Sequence, residues 1–261
     1  MKKVIRINNK AYRVGEENYN NQNCLMKIIT YNHCDNIIIE FQDKYKAKIN
    51  TRYKHFKNGG IKNPYFPNLK GIGYLGEGKY QSKINYKLTN QYLIWMEIII
   101  RSYDENFHKK HPTYKDCTVC EEWHNFQNFA KWYDENYYKI PGEKMQIDKD
   151  ILIKGNKIYS PDTCVFVPQR INALFIKSQN SRGKYPIGVT YHKKKYDSRV
   201  TINYKTLHLG SYSTPEEAFQ AYKVAKENHI KQVADEYKSK YPQFPKKLYD
   251  AMYSYKVEID D

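Results

Sequence analysis

Between Gln169 and Gly210 the chain carries Arg170, Lys177, Arg182, Lys184, Lys193, Lys194, Lys195, Arg199 and Lys205 against one acid, Asp197. Thr190, His192, Thr201, Asn203, Thr206 and His208 are interleaved with these cations. Such a mixture suits a nucleic-acid duplex. Cations fix a protein on phosphates, while hydroxyl, amide and imidazole groups reach base edges. The rival reading is a face that is merely hydrated. Two other patterns invite a chemical reading. Cys117-Thr118-Val119-Cys120 is half of a zinc-ligand set, but Cys164, His108, His111 and His124 complete no familiar second pair, so buried free thiols fit better. Gly71-Ile72-Gly73-Tyr74-Leu75-Gly76 matches the dinucleotide fingerprint, which needs a strand before it and a helix directly after it. Pro67 upstream and Glu77-Gly78-Lys79 downstream supply neither.

Alternation predicts the elements that would position the basic set. Ile187, Val189 and Tyr191 alternate with Gly188, Thr190 and His192, and a turn at Lys193-Lys194-Lys195 follows. Tyr196, Ser198, Val200 and Ile202 then alternate with Asp197, Arg199, Thr201 and Asn203, and a third strand runs through Thr206-Leu207-His208-Leu209-Gly210. These read as three strands with one apolar and one polar face. On that pattern Arg199, Thr201, Asn203 and His208 point outward to bases, and Lys193 and Lys195 meet phosphate. Thr214-Pro215-Glu216-Glu217 is a capping box with proline in the first turn, so a helix starts there. Its stripe of Ala218, Ala221, Tyr222 and Ala225 allows close packing on the sheet.

Upstream, residues 1–65 contain β-branched and aromatic runs separated by turn-favouring residues, and a small antiparallel β-barrel is expected. Lys44, Lys46 and Lys48 would share one face of a strand there. Residues 66–88, rich in glycine and with Pro67, read as a linker. Residues 89–180 read as a helical region: Thr89 caps a helix carrying Tyr92, Trp95, Met96 and Ile99, and a second helix runs from Glu121 to Tyr137. Their aromatic stripes are read as core. Residues 181–261 hold the sheet, its helix and a helical extension.

The 261 residues carry a formal charge of +16, which favours polyanionic partners. The longest apolar run, Leu93–Ile100, contains Glu97 and is too short to span a bilayer. No signal-peptide pattern opens the chain, and five scattered cysteines make no disulfide framework. A reducing cytoplasm is expected, with no membrane partner.

Two resemblances sharpen this reading. Ile187-Gly188-Val189, Leu207-His208-Leu209-Gly210-Ser211-Tyr212 and Thr214-Pro215-Glu216-Glu217-Ala218, with Ala221, Tyr222 and Ala225, resemble the Apetala-two/ethylene-response-factor (ERF) domain over about 50 residues. The resemblance implies a three-stranded sheet that docks in the major groove, backed by one helix. It places contact positions on Thr190, His192, Lys194, Thr201, Asn203, Thr206 and His208, with Lys193, Lys195, Arg199, Arg182 and Lys184 as basic neighbours. Plant members carry arginine and tryptophan at most of these positions, so their target does not transfer. Asp148-Lys149-Asp150-Ile151, Gly155-Asn156-Lys157, Ser160-Pro161-Asp162-Thr163-Cys164 and Asn172 resemble the HNH homing-type endonucleases found in phages. That resemblance implies a ββα skeleton, a histidine base and a metal. Lys149 or Asp150 stands where the histidine should be, so the motif is degenerate. Asp148, Asp150 and Asn172 remain as weak catalytic candidates and as ligands for magnesium.

The expected fold is therefore α+β: an N-terminal barrel, a degenerate HNH-like middle and a C-terminal sheet on a helix. The expected function is a phage-encoded, sequence-specific double-stranded DNA-binding protein, located at the nucleoid in a bacterial host's cytoplasm. The first alternative is a metal-dependent HNH-type endonuclease. The second is a counter-defence or regulatory protein that binds a host protein or nucleoprotein.

Overall fold

The computed structural model describes residues 13–176, 184–203 and 205–259. The chain separates into two compact units, 1–133 and 134–261. This division falls between the sequence-expected boundaries near residues 65, 88 and 180. No helix among the described residues is long and apolar enough to cross a membrane.

The first unit opens on an antiparallel meander of β1 (Glu17–Tyr19), β2 (Leu25–His33), β3 (Asn36–Phe41) and β4 (Lys48–Thr51). The expected barrel is not closed: β1 and β4 remain at opposite edges of an open sheet. Packing supplies the reason. Met26, Ile28, Ile37, Ile39 and Phe41 form one apolar face, and Phe56 of the short helix α1 (Tyr53–Lys57) and Ile61 cover it. A helix and loop thus shield the face that strand closure would otherwise enclose. Lys44 and Lys46 also lie in the β3–β4 turn, with Lys46 at φ 53, so only Lys48 of the expected lysine face is in a strand.

Residues 66–88 are fixed within this unit. The Gln127 side chain donates to the Leu75 and Tyr80 carbonyls at 3.2 and 3.0 Å, and the Tyr74 amide donates to the His124 carbonyl at 2.9 Å. Gly76 sits at φ 69 so close to Asn125 that a Cβ would come within 2.1 Å of its side-chain oxygen. Its glycine is a packing requirement, and no phosphate cradle is needed to explain it. A small hairpin, β5 (Lys83–Ile84) and β6 (Lys87–Leu88), leads into α2 (Asn90–Tyr103). Thr89 caps α2 by accepting from the Tyr92 amide at 3.3 Å. The helix expected over 121–137 is broken: a 3-10 turn at Glu121–His124 precedes α4 (Phe126–Asn136), after the short α3 (Glu105–Lys110). The Asn125 carboxamide accepts the Gln127 amide at 3.0 Å, restarting the helix. Trp95, Trp123, Phe126 and Phe129 are buried, as their spacing predicts for core.

In the second unit, β7 (Met145–Asp148) pairs antiparallel with β8 (Val165–Pro168), which runs straight into the short helix α5 (Gln169–Asn172). Three strands follow, β9 (Val189–His192), β10 (Lys195–Ile202) and β11 (Lys205–Tyr212), paired in sequence order. The helix α6 (Pro215–Lys240) starts on the expected capping box, with Thr214 and Glu217 each bonding the other's backbone. Its first turns bring Ala218, Phe219 and Tyr222 against Val189 and Val200. Its last turns carry Ile230, Val233, Ala234 and Tyr237 into a second core with Val165, Val167, Ile171 and α7 (Lys246–Ser254). One 26-residue helix therefore serves both the sheet and the β7–β8–α5 segment, within the single unit 134–261.

Candidate nucleic-acid interface

The register of the three-stranded sheet decides which side chains stand together. Thr190 pairs with Asp197 and His192 with Lys195. Across the other ladder Asp197 pairs with Ser211, Arg199 with His208 and Thr201 with Thr206. Paired residues share a face, so Thr190, His192, Lys195, Asp197, Arg199, Thr201, Thr206, His208 and Ser211 form one surface. Val189, Val200, Leu209 and Tyr212 pack on the opposite side, with Val200 only 2 % exposed.

This arrangement needs a bulge. Ser198 pairs with Gly210 and Arg199 with His208, so Leu209 is an extra residue in β11. Strict alternation from Leu207 would turn Ser211 inward and Tyr212 outward. The bulge reverses that parity, bringing Ser211 to the polar face and Tyr212 to the core. Gly188 anchors the other end. Its φ of 77 and missing Cβ leave room for the Tyr222 ring, which a Cβ would approach to 2.1 Å. Its carbonyl accepts the Arg199 amide at 2.8 Å.

Asp197 lies in the middle of this basic surface and is nevertheless 6 % exposed. Its carboxylate accepts the Ser211 hydroxyl at 2.6 Å and an Arg199 guanidinium N–H at 3.3 Å. The Ser211 hydrogen bond, with His208 and Arg199 nearby, holds the Asp197 carboxyl below the usual carboxylate range. Thr201 and Thr206 bond through their hydroxyls at 3.2 Å.

The turn between β9 and β10 contains only Lys193 and Lys194, at φ 47 and 63. Two left-handed residues make the primed turn that suits a twisted hairpin and favours asparagine or glycine. Lysine there costs about 1–2 kcal/mol per residue in backbone sterics. Both lysines are exposed, so no burial offsets that cost. Lys184 lies just before β9, its ammonium 5.3 Å from the Tyr185 ring. Arg182 lies outside the described residues.

Asn203 departs from expectation. The ladder ends at the Ile202–Lys205 pair, so Asn203 is the first turn residue, at φ 47, and no longer on the strand face. Asparagine tolerates this conformation because its side chain bonds locally. Its carboxamide oxygen accepts from Arg170 at 3.5 Å, and Arg170 also pairs with Glu236 at 3.1 Å. Sequence alternation also missed Ser211, because a bulge leaves no mark except the glycine at 210.

The catalytic candidates Asp148, Asp150 and Asn172 are each bonded within their own segment. Asp148 Oδ1 accepts the Asp150 and Ile151 amides, each at 2.8 Å, and so closes its own loop. Burial, then the Asp150 charge, pushes the Asp148 carboxyl up to about 6. Lys149 is buried beside Asp150, with its ammonium 3.3 Å from that carboxylate. The Asn172 carboxamide donates to Gln146 at 2.8 Å. Among the described residues, the three His, Cys, Asp or Glu side chains close enough to share a cation are His33, Cys34 and Asp35, exposed at the β2–β3 turn. Their contacts already serve that turn: the Asp35 amide donates to His33 Nδ1 at 3.2 Å, and Arg52 lies 3.8 Å from Asp35. Cys117 is buried, and burial raises the Cys120 thiol. His108 and His124 bond backbone carbonyls at 2.8 and 3.1 Å, and among the described residues neither joins those cysteines in a group close enough to share a metal ion.

Set against protein-family models, curated proteins and solved structures, the chain matches none.

Proposed function

We propose that the chain is a sequence-specific double-stranded DNA-binding protein that reads the major groove with the polar face of β9–β11. The observation that carries this reading is the register: it gathers a threonine-, histidine- and arginine-bearing face on one sheet and ends it in a turn of exposed lysines. The strained Lys193-Lys194 turn supports it, because that backbone cost is understandable when the charges contact phosphate. Asp197 favours Arg199 as a base reader. A covered carboxylate repels phosphate from the middle of the face and fixes one edge of the guanidinium. The remaining N–H groups fit the paired acceptors of guanine O6 and N7. Selection from random duplexes tests the proposal. Enrichment of a short motif supports it, and binding without sequence preference counts against it.

The endonuclease reading retains one observation, the antiparallel β7–β8 pair that runs into α5. Asp148 and Asn172, engaged with their own segment, argue for a scaffolding role. Nicking of supercoiled plasmid in magnesium or manganese is expected to be weak or absent. Robust single-turnover nicking that disappears in Asp148→Ala or Asn172→Ala would promote the nuclease.

A further inference from the structure

In the first unit, the turn between β5 and β6 holds Tyr86 entirely outside the fold. The Lys83–Leu88 and Ile84–Lys87 pairs leave only Asn85 and Tyr86 in the turn, at φ 48 and 63. Asparagine adopts this region readily, whereas a bulky aromatic does so only against steric resistance. The Tyr86 side chain is 101 % exposed, so packing returns nothing for that strain. Ile84 beside it is 56 % exposed.

Charge along this segment has one sign. Lys79, Lys83 and Lys87 are all exposed, and no acid occurs between Glu77 and Glu97. An acidic protein surface would satisfy the lysines and leave the protruding ring without a flat partner. A nucleic-acid strand offers phosphates on both sides of a flat, apolar base. Bases inside a duplex already stack on both neighbours and must be prised apart to admit a ring, so an unpaired base meets it at the lower cost.

We propose that the β5–β6 hairpin is a nucleobase-stacking finger: Tyr86 lies against an unpaired base while Lys83 and Lys87 meet the flanking phosphates. The finger uses residues and a unit separate from the sheet face, and so goes beyond the duplex-reading proposal and stands without it.

Fluorescence of a Tyr86→Trp chain tests this, with oligo-dT as the probe. Trp95 and Trp123 are fully buried and Trp132 is 7 % exposed, so emission at long wavelength reports the new indole. Oligo-dT should quench that emission, in the Arg199→Ala background as well, which separates the finger from the sheet. Tyr86→Ala should bind oligo-dT about tenfold more weakly with an unchanged salt slope. Replacing both Lys83 and Lys87 by alanine should flatten the slope by about 1.4. Thermal melts should not fall below the parent's, since the substituted side chains are exposed. Unquenched emission at saturating oligo-dT, or undiminished affinity of Tyr86→Ala, would overturn the proposal. Quenching by nuclease-treated host lysate with none by oligo-dT would overturn it in favour of a protein partner.

Discussion

The Asp197 carboxylate stands 3.3 Å from the Arg199 guanidinium, two residues along the same strand and on the same face. The arginine side chain is 51 % exposed and the aspartate 9 %. The pair therefore has a covered end and an open end. With its cation half exposed, such a pair adds little stability. Its consequence is orientation, because a guanidinium tethered at one edge turns its other N–H groups away from the carboxylate.

Asp197→Asn separates orientation from charge. The amide oxygen can still accept from Ser211, while the charge that holds Arg199 is removed. Affinity for unrelated duplexes should rise, since a repulsive carboxylate is gone. Discrimination against a single base change opposite Arg199 should fall by about 1 kcal/mol. Competition titrations with matched and mismatched duplexes measure both, and unchanged discrimination would remove Asp197 from any role in readout.

Replacing Lys193-Lys194 by Asn-Gly separates stability from binding at the hairpin. The fold should gain about 1–2 kcal/mol, because the new residues suit the left-handed turn. DNA affinity should fall, and the log-log salt slope should flatten by about two. Denaturant unfolding and salt titration together check this. A variant that binds as tightly as the parent would show that these lysines face water only.

Asp148 predicts a pH dependence of stability. Its carboxyl is raised to about 6 in the folded chain, above the roughly 3.9 of an unfolded aspartate. The folded state then holds the proton more tightly, so stability falls as pH rises from about 4 to about 6 and stays lower above it. Asp148→Asn retains an oxygen for the Asp150 and Ile151 amides without the desolvated charge. It should stabilise the chain at pH 8 relative to pH 5 by about 1 kcal/mol. Equal effects at both values would show that the carboxyl is not raised.

Much of the second unit was legible because period-two alternation and capping chemistry are local. Val189 and Val200 in the core, the Thr214 capping box and the shared face of Arg199 and Thr201 all follow from neighbours in sequence. What escaped depends on register or distant packing. Asn203 was read as a strand residue because alternation does not reveal where a ladder stops. Ser211 reached the polar face only through the bulge at Leu209. The barrel expectation failed because a short helix and loop cover the first sheet, a contact that strand spacing cannot report. The helix from Pro215 to Lys240 joins two cores that composition had separated, since a continuous helix shows no boundary where its partners change.

The central claim is that the β9–β11 face reads base sequence while the Lys193-Lys194 turn and the adjoining Lys195 grip phosphate. Salt-dependent titration of the selected duplex and a scrambled one, with parent, Arg199→Ala, Lys195→Ala and Val200→Asp chains, tests it most directly. The parent should show a slope of roughly −4 to −5, as about five neutralised phosphates require. Arg199→Ala should cost about 1–3 kcal/mol on the selected duplex and far less on the scrambled one. Lys195→Ala should weaken both alike and flatten the slope by about one. Val200→Asp, which buries an unpartnered charge, should unfold the sheet and abolish the selective component. A slope near zero, or an Arg199→Ala chain that binds the selected duplex as the parent does, would contradict the account.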